Sequence, residues 1–190
     1  IIVIGLFGVS SAFADGHTQD YSESGLFIFN TLLFLIGGFL VMWMAAGFAM
    51  LETGLVRAKN ASTQLTKNVA LFSLASIAYF IVGYNLMYPE EGWIIEGWLG
   101  TFSPTSLEPV GVGPDGVDLK YASAGSDFFF QLMFCAATAS IVSGTVAERV
   151  KLWPFLIFTI VLTGIFYPIS ASWKWGEGWL DAMKFQDFAG

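Results

Sequence analysis

The stretch "SDFFFQLMFCAATASIVSGTVAERVKLW", Ser126–Trp153, places three phenylalanines and then a fourth, Phe134, at the head of a run of very small residues, and reaches Ala147-Glu148-Arg149 near its end. A helix crosses a hydrocarbon core of roughly 30 Å in about 20 residues, and the apolar part, 128–146, has that length. Phe130 and Phe134 stand at i and i+4 and therefore share a face, which Thr138 and Val142 continue. Ala136, Ala137, Ala139, Ser140, Ser143 and Gly144 surround that face, and small residues let neighbouring helices approach closely in lipid. Two readings are open. One is a tightly packed interior helix with its aromatics at the interfacial belt; the other is a pore-lining helix plugged at its outer end by two rings.

The remainder of the chain is of the same kind. Of its 190 residues 55% are hydrophobic and 12% charged, against about 25% charged in a soluble domain. Four spans are expected, at about 26–51, 69–87, 128–146 and 152–169, with a fifth starting near Asp187. The first would reach about 39 Å at 1.5 Å per residue and is expected to tilt. Arg57, Lys59 and Lys67 fall between spans one and two, and Arg149 and Lys151 between three and four, which is five of the eight basic residues. Cytoplasmic loops carry the excess of Lys and Arg, so these loops are read as cytoplasmic and the mature N-terminus as outside the plasma (inner) membrane. The opening "IIVIGLFGVSSAFADGHTQD" carries a small-x-small pattern at Ala12-Phe13-Ala14, the mark of a partial signal peptide over 1–14, with the membrane domain over 15–190. The chain starts on Ile1 and stops at Gly190 within a motif, and is read as a fragment. The fold class expected is all-α, a polytopic membrane helix bundle.

Several functions have no support in the residues. The single cysteine, Cys135, lies in an apolar helix and the single histidine, His17, in the polar N-terminal tail, so no disulfide framework or Cys/His metal spacing exists. No Gly-rich phosphate loop or basic patch is present, and a net charge of −7 argues against nucleic acid. A membrane enzyme would need an intramembrane nucleophile, acid pair or metal cluster, and none is found.

Other residues carry paired readings. The segment from Pro89 to Ala124, rich in proline, glycine and acids, reads as an external connection with turns; its acidity would either concentrate cations at a pore mouth or serve only to solvate a loop. Pro168 is expected to disturb the end of the fourth helix. Trp173, Trp175 and Trp179 suit either bilayer anchors or an aromatic wall that attracts a cation, and anchoring is preferred for Trp173 and Trp179. Asp187 either caps a fifth helix or meets substrate. Glu52 and Glu148, each ending a span beside basic residues, are read as loop-organising groups.

Three motifs, "AGFAMLETGLVRAKN" from Ala46, "GTVAERVKLWPFLIF" from Gly144 and "WGEGWL…DFAG" from Trp175, together resemble the ammonium transporter (Amt/Mep/Rh) family, in the right order and over nearly the whole mature chain. The resemblance implies an eleven-helix inverted-repeat transporter, of which this chain would supply most of the first half, and a homotrimer with one pore per subunit. It also implies residue roles. The tryptophan of the W-G-x-G motif matches Trp175, which would form a cation–π wall for ammonium. Phe134 would be one plate of the pore gate, and Phe130, a turn outward, would border the recruitment site. Asp187, the aspartate of D-F-A-G, would lie beneath it as a structural, cation-stabilising group. The family's paired pore histidines and second gate phenylalanine would fall beyond Gly190.

No cofactor is implied. The partners implied are ammonium or ammonia, with methylammonium as an analogue, the lipid bilayer, and a regulatory protein on the cytoplasmic loops. The runner-up reading is an ammonium sensor of the same fold. A Rhesus-type gas channel is a third, against which Trp175 argues.

Overall fold

A computed structural model describes residues 18–89, 92–105, 107, 112–113, 116–117 and 121–186. The expected signal peptide (1–14) and Asp187 lie outside the described residues. Helix α1 covers Thr18–Leu55, and a 3₁₀ turn, Ala58–Asn60, leads into α2, Ala61–Ala78. A π-helical turn, Tyr79–Gly83, carries α2 into α3, Tyr84–Met87. Two small antiparallel hairpins follow, β1 (Trp93–Ile95) with β2 (Leu99–Gly100), and β3 (Val112–Gly113) with β4 (Gly116–Val117). Helix α4 covers Ala124–Thr145 and α5 Leu152–Val161; a second π-turn, Leu162–Phe166, leads to α6 (Tyr167–Trp175), and α7 is Trp179–Ala182. Among the described residues four stretches are long and apolar enough to cross a membrane: Gly25–Leu55, Ala58–Met87, Ala124–Thr145 and Leu152–Ala182.

Helix α4 is the centre of the bundle and α1 its flank, since 44% of the α4 window is buried against 11% for α1. The start of α4 is fixed by chemistry. Ser123 is its N-cap, with a side chain that accepts from the Ser126 N–H at 3.2 Å, and Asp127 in the first turn complements the positive end of the helix. The Ser123 N–H donates to Thr31 Oγ1 (3.1 Å), and Asn30 Nδ2 donates to the Tyr121 carbonyl (3.0 Å), so α1 holds the approach to α4.

The three phenylalanines fan out to different neighbours. Phe128 packs among Tyr79, Phe80 and Tyr84, with ring centroids 5.3–5.9 Å away. Phe129 sits over Gly38, where an added Cβ would come within 2.6 Å of its ring, and lies beside Phe39. Phe130 sits over Gly37 and stacks on Phe34 at 5.0 Å. The Gly37-Gly38 pair of α1 is therefore the seat into which two of the bulky rings fit. The small residues of this helix are buried in the bundle, as the reading of a tightly packed interior helix expects.

Three expectations are corrected. Lys67 does not lie in a cytoplasmic loop: α2 begins at Ala61, not near Val69, and Lys67 is inside that helix, 6% exposed. Glu52 is not a loop group but 2% exposed between helices. The fourth span does not stop near 169: Pro168 follows directly on the π-turn Leu162–Phe166, which marks the expected disturbance, and the helix continues to Trp175. The two π-turns meet at Gly83, where an added Cβ would be 3.1 Å from Pro168 Cγ and 3.2 Å from the Thr163 carbonyl oxygen.

Candidate functional site

A cleft of about 2010 Å³ lies at one end of the bundle, bounded by α3, the β1–β2 hairpin, α4 and the turn after α6. Phe130, Phe134 and Trp175 all contribute to its wall. Phe130 and Phe134 meet edge to face at 4.9 Å, the arrangement that ring quadrupoles favour. Phe134 is 39% and Trp175 60% exposed, so both leave apolar surface open at the cleft.

Trp175 is placed by backbone packing. It is the last residue of α6, and Gly176 follows as C-cap. A Cβ on Gly176 would press on the Met87 and Ser172 carbonyls, and one on Gly178 would come within 2.7 Å of Trp173 Cα and 2.8 Å of the Gly97 carbonyl. The glycines of W-G-x-G thus let the turn lie against the neighbouring backbone. An ion pair between Lys174 and Asp181 closes α7 onto α6. Trp173 and Trp179 lie together beside this turn. They pack with Trp98 of the hairpin, Trp98 stacking on Trp179 at 5.0 Å, and Trp173 Nε1 donates to the Trp98 carbonyl at 3.0 Å.

Sequence reasoning missed the polar side of the cleft. Asp127, Tyr84, Tyr88 and Gln131 line it with the aromatics. The Tyr84 hydroxyl donates to Asp127 Oδ2 at 3.0 Å, and Gln131 Nε2 donates to the Tyr88 oxygen at 2.9 Å. Burial, and to a lesser degree the nearby Asp127 carboxyl, push the Tyr88 phenol well above its ordinary value, so it remains a protonated donor. Asp127 and Gln131 share a face at i and i+4, a signal present in the sequence that the run of phenylalanines obscured.

At the other end of the bundle, Glu52 Oε2 accepts from Gln64 Nε2, Asn68 Nδ2 (2.8 Å) and Ser143 Oγ (2.8 Å). Lys67 Nζ donates to the Ser143 carbonyl at 3.0 Å and lies 4.9 Å above the Phe155 ring. This polar knot joins α1, α2 and α4. Glu148, held at a positive φ of 61° just past α4, accepts from the Arg57 N–H (3.0 Å) and from the Arg57 and Asn60 side chains, so here the loop-organising reading agrees with the geometry. Those contacts, the Asn60 amide first, hold its carboxyl below the usual carboxylate range. Among the described residues no group of three His, Cys, Asp or Glu side chains is arranged to hold a metal.

A bundle of membrane-length helices with an aromatic cleft at one end has the architecture of a polytopic membrane protein. The chain belongs to the ammonium transporter family, whose model matches residues 32–190. A Synechocystis protein provisionally named an ammonium transporter is 41% identical over 96% of this chain and 39% of its own length. Ammonium transporter Amt2 of Archaeoglobus fulgidus is 37% identical over 97% of this chain and 37% of its own. The crystal structure of Mep2 from Saccharomyces cerevisiae superposes with a TM-score of 0.67 at 26% identity, covering 85% of this chain and 35% of that one. The chain therefore spans about two fifths of the length of the curated relatives it matches.

Proposed function

We propose that this chain forms the first part of a protein that moves ammonium across a membrane, and that its outer cleft recruits the cation before transfer. The observation that carries this reading is the shared wall of Trp175, Phe130 and Phe134 at the outer end of a membrane bundle. The names of the family and of its relatives support the substrate.

The chemistry follows from two opposed costs. Ammonium, like a lysine amine with a pKa of about 10.4, is protonated at neutral pH, and an aromatic face attracts it by about 0.5–2 kcal/mol. A bare cation beyond that point would pay tens of kcal/mol by a Born estimate. Phe134 is accordingly assigned the role of outer gate plate, Phe130 the border of the recruitment site, and Trp175 its cation–π wall. Neutral ammonia passes the apolar constriction, with or without separate transfer of the proton. Asp187 is assigned a structural, cation-stabilising role. A partial signal peptide over 1–14, a homotrimer in the plasma (inner) membrane with the mature N-terminus outside, and a regulatory protein docking on the cytoplasmic loops complete the reading.

The test is ammonium uptake into liposomes carrying the full-length protein. Saturable uptake above empty vesicles is expected. A folded protein that binds ammonium without moving it would replace transport with a sensing role.

A further inference from the structure

We infer that Asp127 is a second, charged station of the outer cleft, a carboxylate that attracts small monovalent cations toward the aromatic wall. The inference rests on the ammonium reading above and adds to it a residue that the family motifs do not mark.

Three observations carry it. The first is the charge of the lining. Among the described residues that border the cleft, the charged side chains are Glu96, Asp127 and Glu177, and no lysine or arginine is among them. Glu96 and Glu177 are exposed, whereas Asp127 is only partly so. A carboxylate drawn back from solvent is screened less and acts more strongly on a passing ion.

The second is register. Asp127, Gln131 and Phe134 stand at i, i+4 and i+7 on one face of α4, which sets the acid about 10 Å outward of the proposed gate ring at 1.5 Å per residue. A cation entering from outside meets Asp127 first.

The third is the company it keeps. The Tyr84 hydroxyl donates to Asp127 at 3.0 Å, the Tyr88 phenol faces it as well, and the two tyrosine rings meet edge to face at 5.2 Å. Gln131 holds the Tyr88 oxygen from the other side. The carboxylate is thus oriented by tyrosine hydroxyl donors at the edge of an aromatic cleft, a combination that suits a small cation carrying several N–H donors. The competing account is that Asp127 only complements the α4 terminus and ties down Tyr84. An asparagine there would keep the acceptor for Tyr84 and remove the charge, which separates the two accounts.

The experiment measures ammonium and methylammonium binding and uptake by the full-length protein, comparing the native chain with Asp127→Asn, Asp127→Glu and Tyr84→Phe. Half-saturation in Asp127→Asn is expected to rise about fivefold, the scale of a partly solvated ion pair, with the maximal rate little changed. Asp127→Glu is expected to restore most of the affinity, and Tyr84→Phe to lose less than Asp127→Asn. Unchanged affinity in Asp127→Asn overturns the proposal and leaves the ammonium reading intact. Weakening that Asp127→Glu does not restore also overturns it, because the position would then act by shape. A native protein that binds neither cation overturns the ammonium reading, and this proposal with it.

Discussion

Gly176 bears on the candidate site because it fixes where Trp175 stands. A methyl group there would crowd the Met87 carbonyl, sit 2.9 Å from the Ser172 carbonyl and 3.1 Å from Pro89 Cδ. Two of these are backbone atoms that cannot swing away as a side chain would. Gly176→Ala is therefore expected to destabilise the protein by about 1–3 kcal/mol, the usual cost of overpacking, and to move Trp175. A thermal melt checks the first effect and the half-saturation for ammonium the second. The W-G-x-G spacing was legible as a motif, but the reason for its glycines was not, because Met87 and Gly97 are distant in sequence and only the fold brings their carbonyls to the turn.

At the scale of elements, polar groups seal the end of the bundle opposite the cleft. Glu52 draws donors from α2 and α4, and removing it would leave Gln64, Asn68 and Ser143 buried without their common partner and take away the negative charge near the buried Lys67. Glu52→Ala is expected to cost about 3–5 kcal/mol, the scale for breaking a buried charged cluster, measured as loss of folded protein in detergent. Glu148 works nearby in the open, clasping the α1–α2 connection. Its carboxyl is held below the ordinary value, so its contribution is complete above the free-chain value of about 4.3 and disappears as pH falls through the lower folded value. Proteolysis of the α4–α5 connection is expected to accelerate in that acid range, and Glu148→Gln to show the faster cleavage at neutral pH as well. Equal rates at both pH values would contradict this. The same end of the bundle shows where reading by hydropathy fails. Gln64, Lys67 and Asn68 lower the apolar signal of α2, so its first turns read as loop, although these side chains are buried, Gln64 and Asn68 against Glu52 and Lys67 against the Ser143 carbonyl. Helix existence was legible from run length; polar residues buried in pairs were not, because their partners lie on other helices.

For the molecule as a whole, the uneven burial of the helices sets the assembly question. Helix α1 exposes Phe29, Leu33, Leu40 and Trp43, which water would not tolerate as a contiguous face, so lipid or another protein surface covers it. The proposed homotrimer predicts that the full-length protein in mild detergent migrates at three times the protomer mass and cross-links to trimers and no further. A monomer under those conditions would contradict it. The all-helical bundle and the existence of its four spans were legible from composition and run length, whereas the start of the second span and the end of the fourth were not. The cleft was only partly so: Phe130, Phe134 and Trp175 were named from motifs, while Asp127, Tyr84 and Tyr88 become neighbours through the packing of α3 against α4.

The most direct test of the central claim is the current evoked by ammonium across liposomes carrying the full-length protein, recorded beside a Trp175→Leu variant. The account predicts a current that saturates with ammonium and a half-saturation raised roughly 2- to 30-fold in the variant, corresponding to a lost cation–π attraction of about 0.5–2 kcal/mol. An unchanged half-saturation would return Trp175 to interfacial anchoring and contradict recruitment at the outer aromatic cleft.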